Sequence, residues 1–434
     1  MGTITHPMIH LDASQVRKDF PILNDDTRTK PLSYLDSAAT SQKPAVVLNA
    51  MHDYYIHANA NVHRGVHELG DAATSRFEHA RHRVARFLNA DSRGLIFVRN
   101  TTEALNLVAT GIARQGGLSS TDRVVLSVLE HHSNIVPWQL ERSTHGFSIA
   151  AIPLHPDGSL DMDAAKDLLS PPTKLLSITF QSNVLGIVTP LKELIAMAHE
   201  AGILVVVDGA QRVPHARIDL QDLNCDFFAM SGHKMYGPMG SGVLWGKPEL
   251  LSSMSPFLGG GSMIDTVTFE RTTWAELPQK FEAGTPDVAA AVGLAAACDY
   301  VDSLSYEAIQ AHETNLMKRL VQMLDTLPYI DVYGPDDRGK IAGAVSFNVR
   351  GVHAHDVGTI CDRHGVAIRV GHHCCQPLMK HLGVPATARA SVAVYVTHED
   401  IDRLHEALED VATIFARAIS THTPPSPMKE HRHA

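Results

Sequence analysis

Between about residues 95 and 245 the chain alternates short, unbroken apolar runs with longer stretches whose apolar residues recur at helical spacing. The runs 95–98, 124–128, 175–180, 203–207, 226–230 and 242–245 read as strands, and 102–113, 133–142 and 191–201 read as helices. A strand that is apolar on both faces has no side to turn to water. Helices must then cover both faces, which indicates an α/β architecture around a mostly parallel sheet. An alanine-rich helix over 287–304 leads out of this region. The pattern then changes to a helix over 306–327, strands at 344–349, 366–369 and 388–396, and a closing helix over 400–419. In that last segment Ile401, Leu404, Leu408, Val411, Ile414 and Phe415 share one helical face. The expected division is a large domain over 31–291 and a smaller α+β domain over 292–420, with residues 1–30 joining the smaller unit and 12–20 packing on it. The stretch 421–434 has three prolines, mixed charge and little apolar content, so disorder is expected there.

With 44% hydrophobic and 19% charged residues in 434, the chain can bury the cores of two domains. A net charge of −10 argues against nucleic acid as a partner. Apolar runs stop short of membrane-spanning length, and residues 1–10 lack a basic-then-apolar export pattern, so a cytoplasmic location without membrane contact is expected. Five irregularly spaced cysteines make no disulfide framework.

Polar residues follow the first five of these six strands: Asn100-Thr101-Thr102-Glu103, Glu130-His131-His132, Ser182-Asn183, Asp208-Gly209-Ala210-Gln211 and Ser231-Gly232-His233-Lys234. Parallel sheets bind ligands outside the carboxyl ends of their strands, so these groups should meet on one rim. Lys234 comes straight after an apolar strand, where desolvation lowers an amine pKa and favours a Schiff-base lysine. Asp208 closes the apolar run 204–207, and a buried carboxylate needs a cationic partner such as a pyridinium. Thr101 and Thr102 open a helix whose free N–H groups suit an anion, Ser231 and His233 add donors, and His131 can stack on a ring or relay a proton. This set suits pyridoxal 5′-phosphate, which needs a lysine, an acid at its ring nitrogen and a phosphate cradle. A second cluster, Arg369-Val370-Gly371-His372-His373-Cys374-Cys375-Gln376-Pro377, reads as a loop with a reactive cysteine. A metal site is not expected there, because adjacent residues rarely all reach one ion. Arg389, read as lying ahead of an apolar strand, could clamp a carboxylate.

Taken with Tyr34-Leu35-Asp36-Ser37-Ala38-Ala39-Thr40, Asn61-Val62-His63-Arg64-Gly65, Glu130 through Trp138 and Phe281-Glu282-Ala283-Gly284-Thr285-Pro286, these motifs resemble the SufS-type cysteine desulfurases. The likeness runs from about Phe20 to Ile419. It implies a fold-type I pyridoxal-phosphate enzyme with a seven-stranded sheet, acting as a homodimer that converts L-cysteine to L-alanine and supplies sulfur for iron–sulfur clusters. It implies that Lys234 holds the cofactor, Asp208 and Gln211 contact its ring, and His131 stacks on it. Thr101, Thr102, Ser231 and His233 would bind phosphate with Thr285 from the second subunit, and Asn183, Arg389 and Arg369 would bind substrate. Cys374 would carry the persulfide, although Cys375 replaces the small residue usual in the family and leaves two candidate thiols. His355, in His353-Ala354-His355, stands where desulfurases served by a zinc-containing SufU-type acceptor place a ligand; SufE-type acceptors are the other class. A selenocysteine lyase or cysteine sulfinate desulfinase would share these motifs, and a non-catalytic scaffold of the same fold is the remaining alternative.

Overall fold

The structure, a computed structural model, describes residues 11–63 and 65–421. Seven strands form one sheet in the order Leu95–Val98, Gly242–Gly246, Phe227–Ser231, Leu204–Asp208, Thr173–Thr179, Arg123–Ser127 and Ser148–Ile152. Gly242–Gly246 runs antiparallel to both neighbours, and every other pairing except its two is parallel. The central strands are apolar on both faces because both are covered. Val205 and Val207 pack into one hydrophobic cluster and Val206 into the other, as the two-residue period of a strand dictates. Burying each such side chain contributes about 1.5–3 kcal/mol. Ser148–Ile152, which the apolar pattern did not reveal, is an edge strand with only Ile152 fully buried.

The helix Val288–Leu304 packs against Ala45–His57 and Glu68–Phe87. Its small residues permit a close approach: a Cβ on Gly293 would come within 2.7 Å of Pro238 and 2.8 Å of Met51. Among the described residues no single helix is long and apolar enough to cross a membrane.

A second, antiparallel sheet has the order Ile330–Tyr333, Ala344–Val349, Thr387–Ser391, Arg369–Gly371. The N-terminal segment contacts the helix and turn next to it: Arg17 Nη1 donates to Asp400 Oδ2 at 3.2 Å, and the fully buried Phe20 meets the Tyr395 ring at 4.7 Å. Four sequence expectations need correction. The strand expected over 388–396 stops at Ser391, so Arg389 lies within it rather than ahead of it; Val392–Val396 is buried but turns. The run 366–369 divides, with Val366–Ala367 pairing with Ser33–Tyr34 and Arg369–Gly371 joining the second sheet. The helix expected over 133–142 starts at Val136, after a short turn His132–Asn134. The closing helix runs His398–Ile414 and a further helix, Ala416–Thr421, takes in the first residue of the expected disordered tail; 422–434 lie outside the described residues.

Candidate active site

The parallel strands bring their carboxyl ends to one rim, where a cavity of about 520 Å³ opens. That volume suits a small-molecule site. Lys234, Asp208, Gln211, His131, Thr101, Thr102, Ser231, His233, Asn183, Arg369, Arg389 and Cys374 all line it. Two expected residues do not. Thr285 is exposed in a neighbouring cavity of about 540 Å³ that shares Arg99 and Gly240 with the first. His355 is exposed on the first turn of the helix Ala354–Arg363.

One end of the cavity suits an anion. Asn100 caps the helix Thr101–Arg114 by accepting from Glu103 N, at 3.0 Å. Thr101 N donates to Ser231 Oγ at 2.9 Å, which ties the helix start to the strand end before Lys234. A Cβ on Gly242 would lie 2.7 Å from Asn100 Cα, so only glycine lets this helix start approach the sheet. Thr102, one residue on, also lines the cavity, and the helix dipole favours negative charge there.

An amine and a carboxylate that feel each other's charge also line the cavity. Asp208 is buried and accepts from Ala210 N at 3.0 Å, leaving its second oxygen without a donor among the described residues. Burial raises its pKa, and Lys234 acts against that rise. Lys234 Nζ has no hydrogen bond among the described residues; desolvation pushes its pKa down, and Asp208 partly restores it. The amine is thereby more available as a nucleophile and base.

His131 is held in one tautomer. Ser133 N donates to its Nδ1 at 3.1 Å, so the proton of the neutral ring sits on Nε2. Burial and the nearby Lys234 charge lower its pKa to about 3, so the ring is neutral at neutral pH.

Arg389 is buried and uses its fork on Asn183 O at 2.9 Å and Asp36 Oδ1 at 3.2 Å; its Nε has no partner among the described residues. Asn183 Nδ2 donates to His373 O at 2.8 Å, and its second N–H has no acceptor among the described residues. The cysteines differ sharply. Cys374 lines the cavity and is partly exposed, whereas Cys375 is fully buried and donates to Asn183 Oδ1 at 3.1 Å.

The sequence reading gave no individual role to several residues that line the cavity, among them Asp36, Ala38, Thr40 and Thr179. The motif Tyr34–Thr40 was the only signal for the first three.

Residues 33–404 match the family described as aminotransferase class-V. A probable cysteine desulfurase from Halalkalibacterium halodurans is 48% identical over 93% of this chain and 99% of its own length. The chain belongs to the cysteine desulfurase family. Among solved structures, this desulfurase is similar to a cysteine desulfurase from Thermococcus onnurineus, with a TM-score of 0.88 and 38% identity over 95% of this chain and 100% of that one. It is also similar to the cysteine desulfurase CsdA from Escherichia coli, with a TM-score of 0.84 and 38% identity over 95% and 99% of the two chains. The fold is fold-type I, and the enzyme is a pyridoxal-phosphate-dependent desulfurase. The cavity fits that cofactor: it offers a helix start for a phosphate and, among the described residues, a buried carboxylate with an undonated oxygen for a pyridinium and an amine with no hydrogen-bond partner.

Proposed function

We propose that this desulfurase is of the SufS type and moves sulfur from L-cysteine to Cys374, releasing L-alanine, for delivery to an iron–sulfur assembly system. The observation that carries this is the meeting of Lys234, from the large sheet, and Cys374, beside the second sheet, in one cavity. The chain would form a large cofactor domain over 31–291 and a small one over 292–420 with 1–30, in agreement with where the two sheets fall.

Bound pyridoxal phosphate would supply an electron sink for the substrate Cα. Thr101, Thr102, Ser231 and His233 would hold its phosphate, Asp208 would keep its ring nitrogen protonated, and Gln211 would face the ring hydroxyl. Gln211 Nε2 is already oriented by donating to Ala38 O at 2.8 Å. His131 would lie over the ring as a neutral Nε2–H donor. Arg389 and the second N–H of Asn183 would bind the substrate carboxylate, with Arg369 at the cavity mouth. Lys234 Nζ would take the Cα proton. The thiolate of Cys374 would then attack the substrate sulfur, forming an S–S bond as the C–S bond breaks.

A homodimer is supported by the exposed Thr285 beside the rim and by exposed apolar side chains: Tyr55, Ile56, Phe269 and Trp274. We take Thr285 to complete the phosphate site of the second subunit, and the enzyme to work in the cytoplasm. We take His355 to meet a zinc-containing SufU-type acceptor rather than a SufE-type one; its exposure, on a helix packed against the strand that leads to Cys374, supports contact with a partner. The test is to give the cofactor-loaded enzyme L-cysteine with and without each acceptor class and measure alanine and sulfide. Equimolar alanine and transferred sulfur, stimulated by the SufU-type acceptor, is the expected result. Absence of alanine overturns the activity, and stimulation by a SufE-type acceptor alone overturns the partner.

A further inference from the structure

The carbonyl oxygen just before Lys234 collects four donors. His233 O accepts from Ser41 N at 3.0 Å, Thr40 Oγ1 at 3.0 Å, Ser41 Oγ at 3.1 Å and Lys43 Nζ at 2.9 Å. A peptide oxygen has two lone pairs, so this one is crowded well beyond ordinary satisfaction. Ser41 Oγ also accepts from Tyr236 N at 2.7 Å. One hydroxyl therefore ties down the backbone on both sides of Lys234. Tyr236 sits at φ +59°, a conformation that a bulky residue adopts only when its surroundings impose it.

The strap that supplies these donors is itself anchored. Tyr34 Oη donates to Thr40 O at 2.8 Å, and Gln42 N donates to Tyr395 Oη at 3.2 Å. Tyr395 is fully buried. Lys43 is the unusual member. Its ammonium is partly buried, bonds only to the backbone oxygens of Ser41 and His233, and has no carboxylate in ion-pair range among the described residues. Desolvation lowers its pKa to about 8. A partly buried cation without a counter-ion costs stability. Its bonds reach the peptide of Lys234, and the stabilisation falls on the active-site turn.

We propose that Lys43 is a positioning residue: with Thr40 and Ser41 it fixes the His233–Lys234 peptide and so sets where Lys234 Nζ stands in the cavity. The proposal rests on the reading of Lys234 as the cofactor lysine. Lysine has a long, flexible stem, and the amine can be placed well only if its backbone origin is fixed. Misplacement of a reacting group by about 1 Å can cost on the order of a hundredfold in rate.

The test uses cofactor-loaded Lys43→Met and Lys43→Arg beside wild type. It reads kcat and KM for L-cysteine, cofactor stoichiometry, visible circular dichroism of the bound cofactor, and melting of the cofactor-free protein. Lys43→Met should lower kcat about tenfold or more with KM unchanged and alter the dichroism, while Lys43→Arg restores most of both. A lowered melting temperature with wild-type kcat per bound cofactor and wild-type dichroism would mean a merely structural lysine and overturns the proposal. If Lys43→Met does not fold, Thr40→Val with Ser41→Ala removes two donors and leaves the amine. That pair should change kcat and dichroism in the same sense, and wild-type values overturn the clamp. Lys234→Ala is the control for the underlying reading. Should that variant keep the wild-type visible spectrum, the assignment of Lys234 fails whatever the Lys43 variants show.

Discussion

Changing Cys374 and Cys375 one at a time tests whether geometry selects the nucleophile. Both thiols belong to the same turn, yet their surroundings differ. Cys375 is fully buried, with its S–H on Asn183 Oδ1 at 3.1 Å. Burial, reinforced by the buried Glu130 nearby, pushes its thiol pKa far above the ordinary value. An unperturbed thiol is about 3% ionised at pH 7, and each further unit of pKa divides that by ten. Cys375 is therefore almost never a thiolate, and it is not among the residues that line the cavity. Cys374 faces the cavity. Cys374→Ser should bind cofactor normally and form no persulfide, since a hydroxyl replaces the thiolate proposed to receive sulfur. Cys375→Ala should keep turnover and persulfide on Cys374. It leaves Asn183 Oδ1 short of a donor in a buried place, which costs about 1–3 kcal/mol of stability. The assay is a pulse of L-cysteine, alkylation, digestion and mass spectrometry of the 369–380 peptide, with denaturant unfolding alongside. An extra sulfur found on Cys375, or alanine turnover in Cys374→Ser, would refute the reasoning.

Asp208→Ala should weaken cofactor binding by about 3–5 kcal/mol and nearly abolish turnover, because it removes the buried anion proposed to pair with the ring nitrogen, while Asp208→Glu keeps part of both; cofactor titration by visible absorbance checks this. His373, buried against Thr387 Oγ1 at 2.8 Å, has its pKa lowered to about 3, so its stabilising effect is complete above the unfolded value near 6.5 and is lost as pH falls towards 3. Cofactor-free protein should lose about 2 kcal/mol at pH 5 from this group, and His373→Asn, which tolerates the positive φ there, should show a flatter dependence in pH-resolved melting. His355→Tyr should leave basal alanine production unchanged and reduce stimulation by a zinc-containing acceptor, as imidazole can ligate a partner's zinc; equal stimulation of both proteins would refute ligand exchange.

Burial of charge made much of this site legible in the sequence. Lys234 and Asp208 stand next to unbroken apolar runs, where an unpaired charge is costly, and both line the cavity. Apolar composition was a poorer guide to strand limits. Val392, Val394 and Val396 are all fully buried, yet the chain turns there, because burial needs neighbours and not a ladder. The edge strand Ser148–Ile152 failed in the opposite sense: half-exposed residues leave no apolar run to read. The strap around Thr40 and Lys43 was recognisable only as part of a motif. Its small polar residues have no periodicity, and their role depends on donors meeting a carbonyl some 190 positions away. Thr285 could not be placed from one chain, since it faces outward beside the rim.

The cysteine turn follows a strand of the second sheet but is held by loops of the first. His132 N donates to Cys374 O at 2.7 Å, and Gln376 N donates to His132 Nε2 at 3.1 Å. Asn183 contributes Nδ2 to His373 O and Oδ1 to the Cys375 thiol. His373 and Cys374 both stand at positive φ, +51° and +55°, which costs each about 1–2 kcal/mol. Four bonds of about 0.5–1.5 kcal/mol apiece are enough to offset that. The loops that supply them follow the strands Arg123–Ser127 and Thr173–Thr179, and the same loops carry His131 and Asn183. The groups proposed to contact ring and substrate are thus attached to the groups that hold the nucleophile. Cys374 is set against the cavity by the same short loops that shape it, and in the proposed reaction this would bring the Lys234 amine and the Cys374 thiol, 140 positions apart, into register.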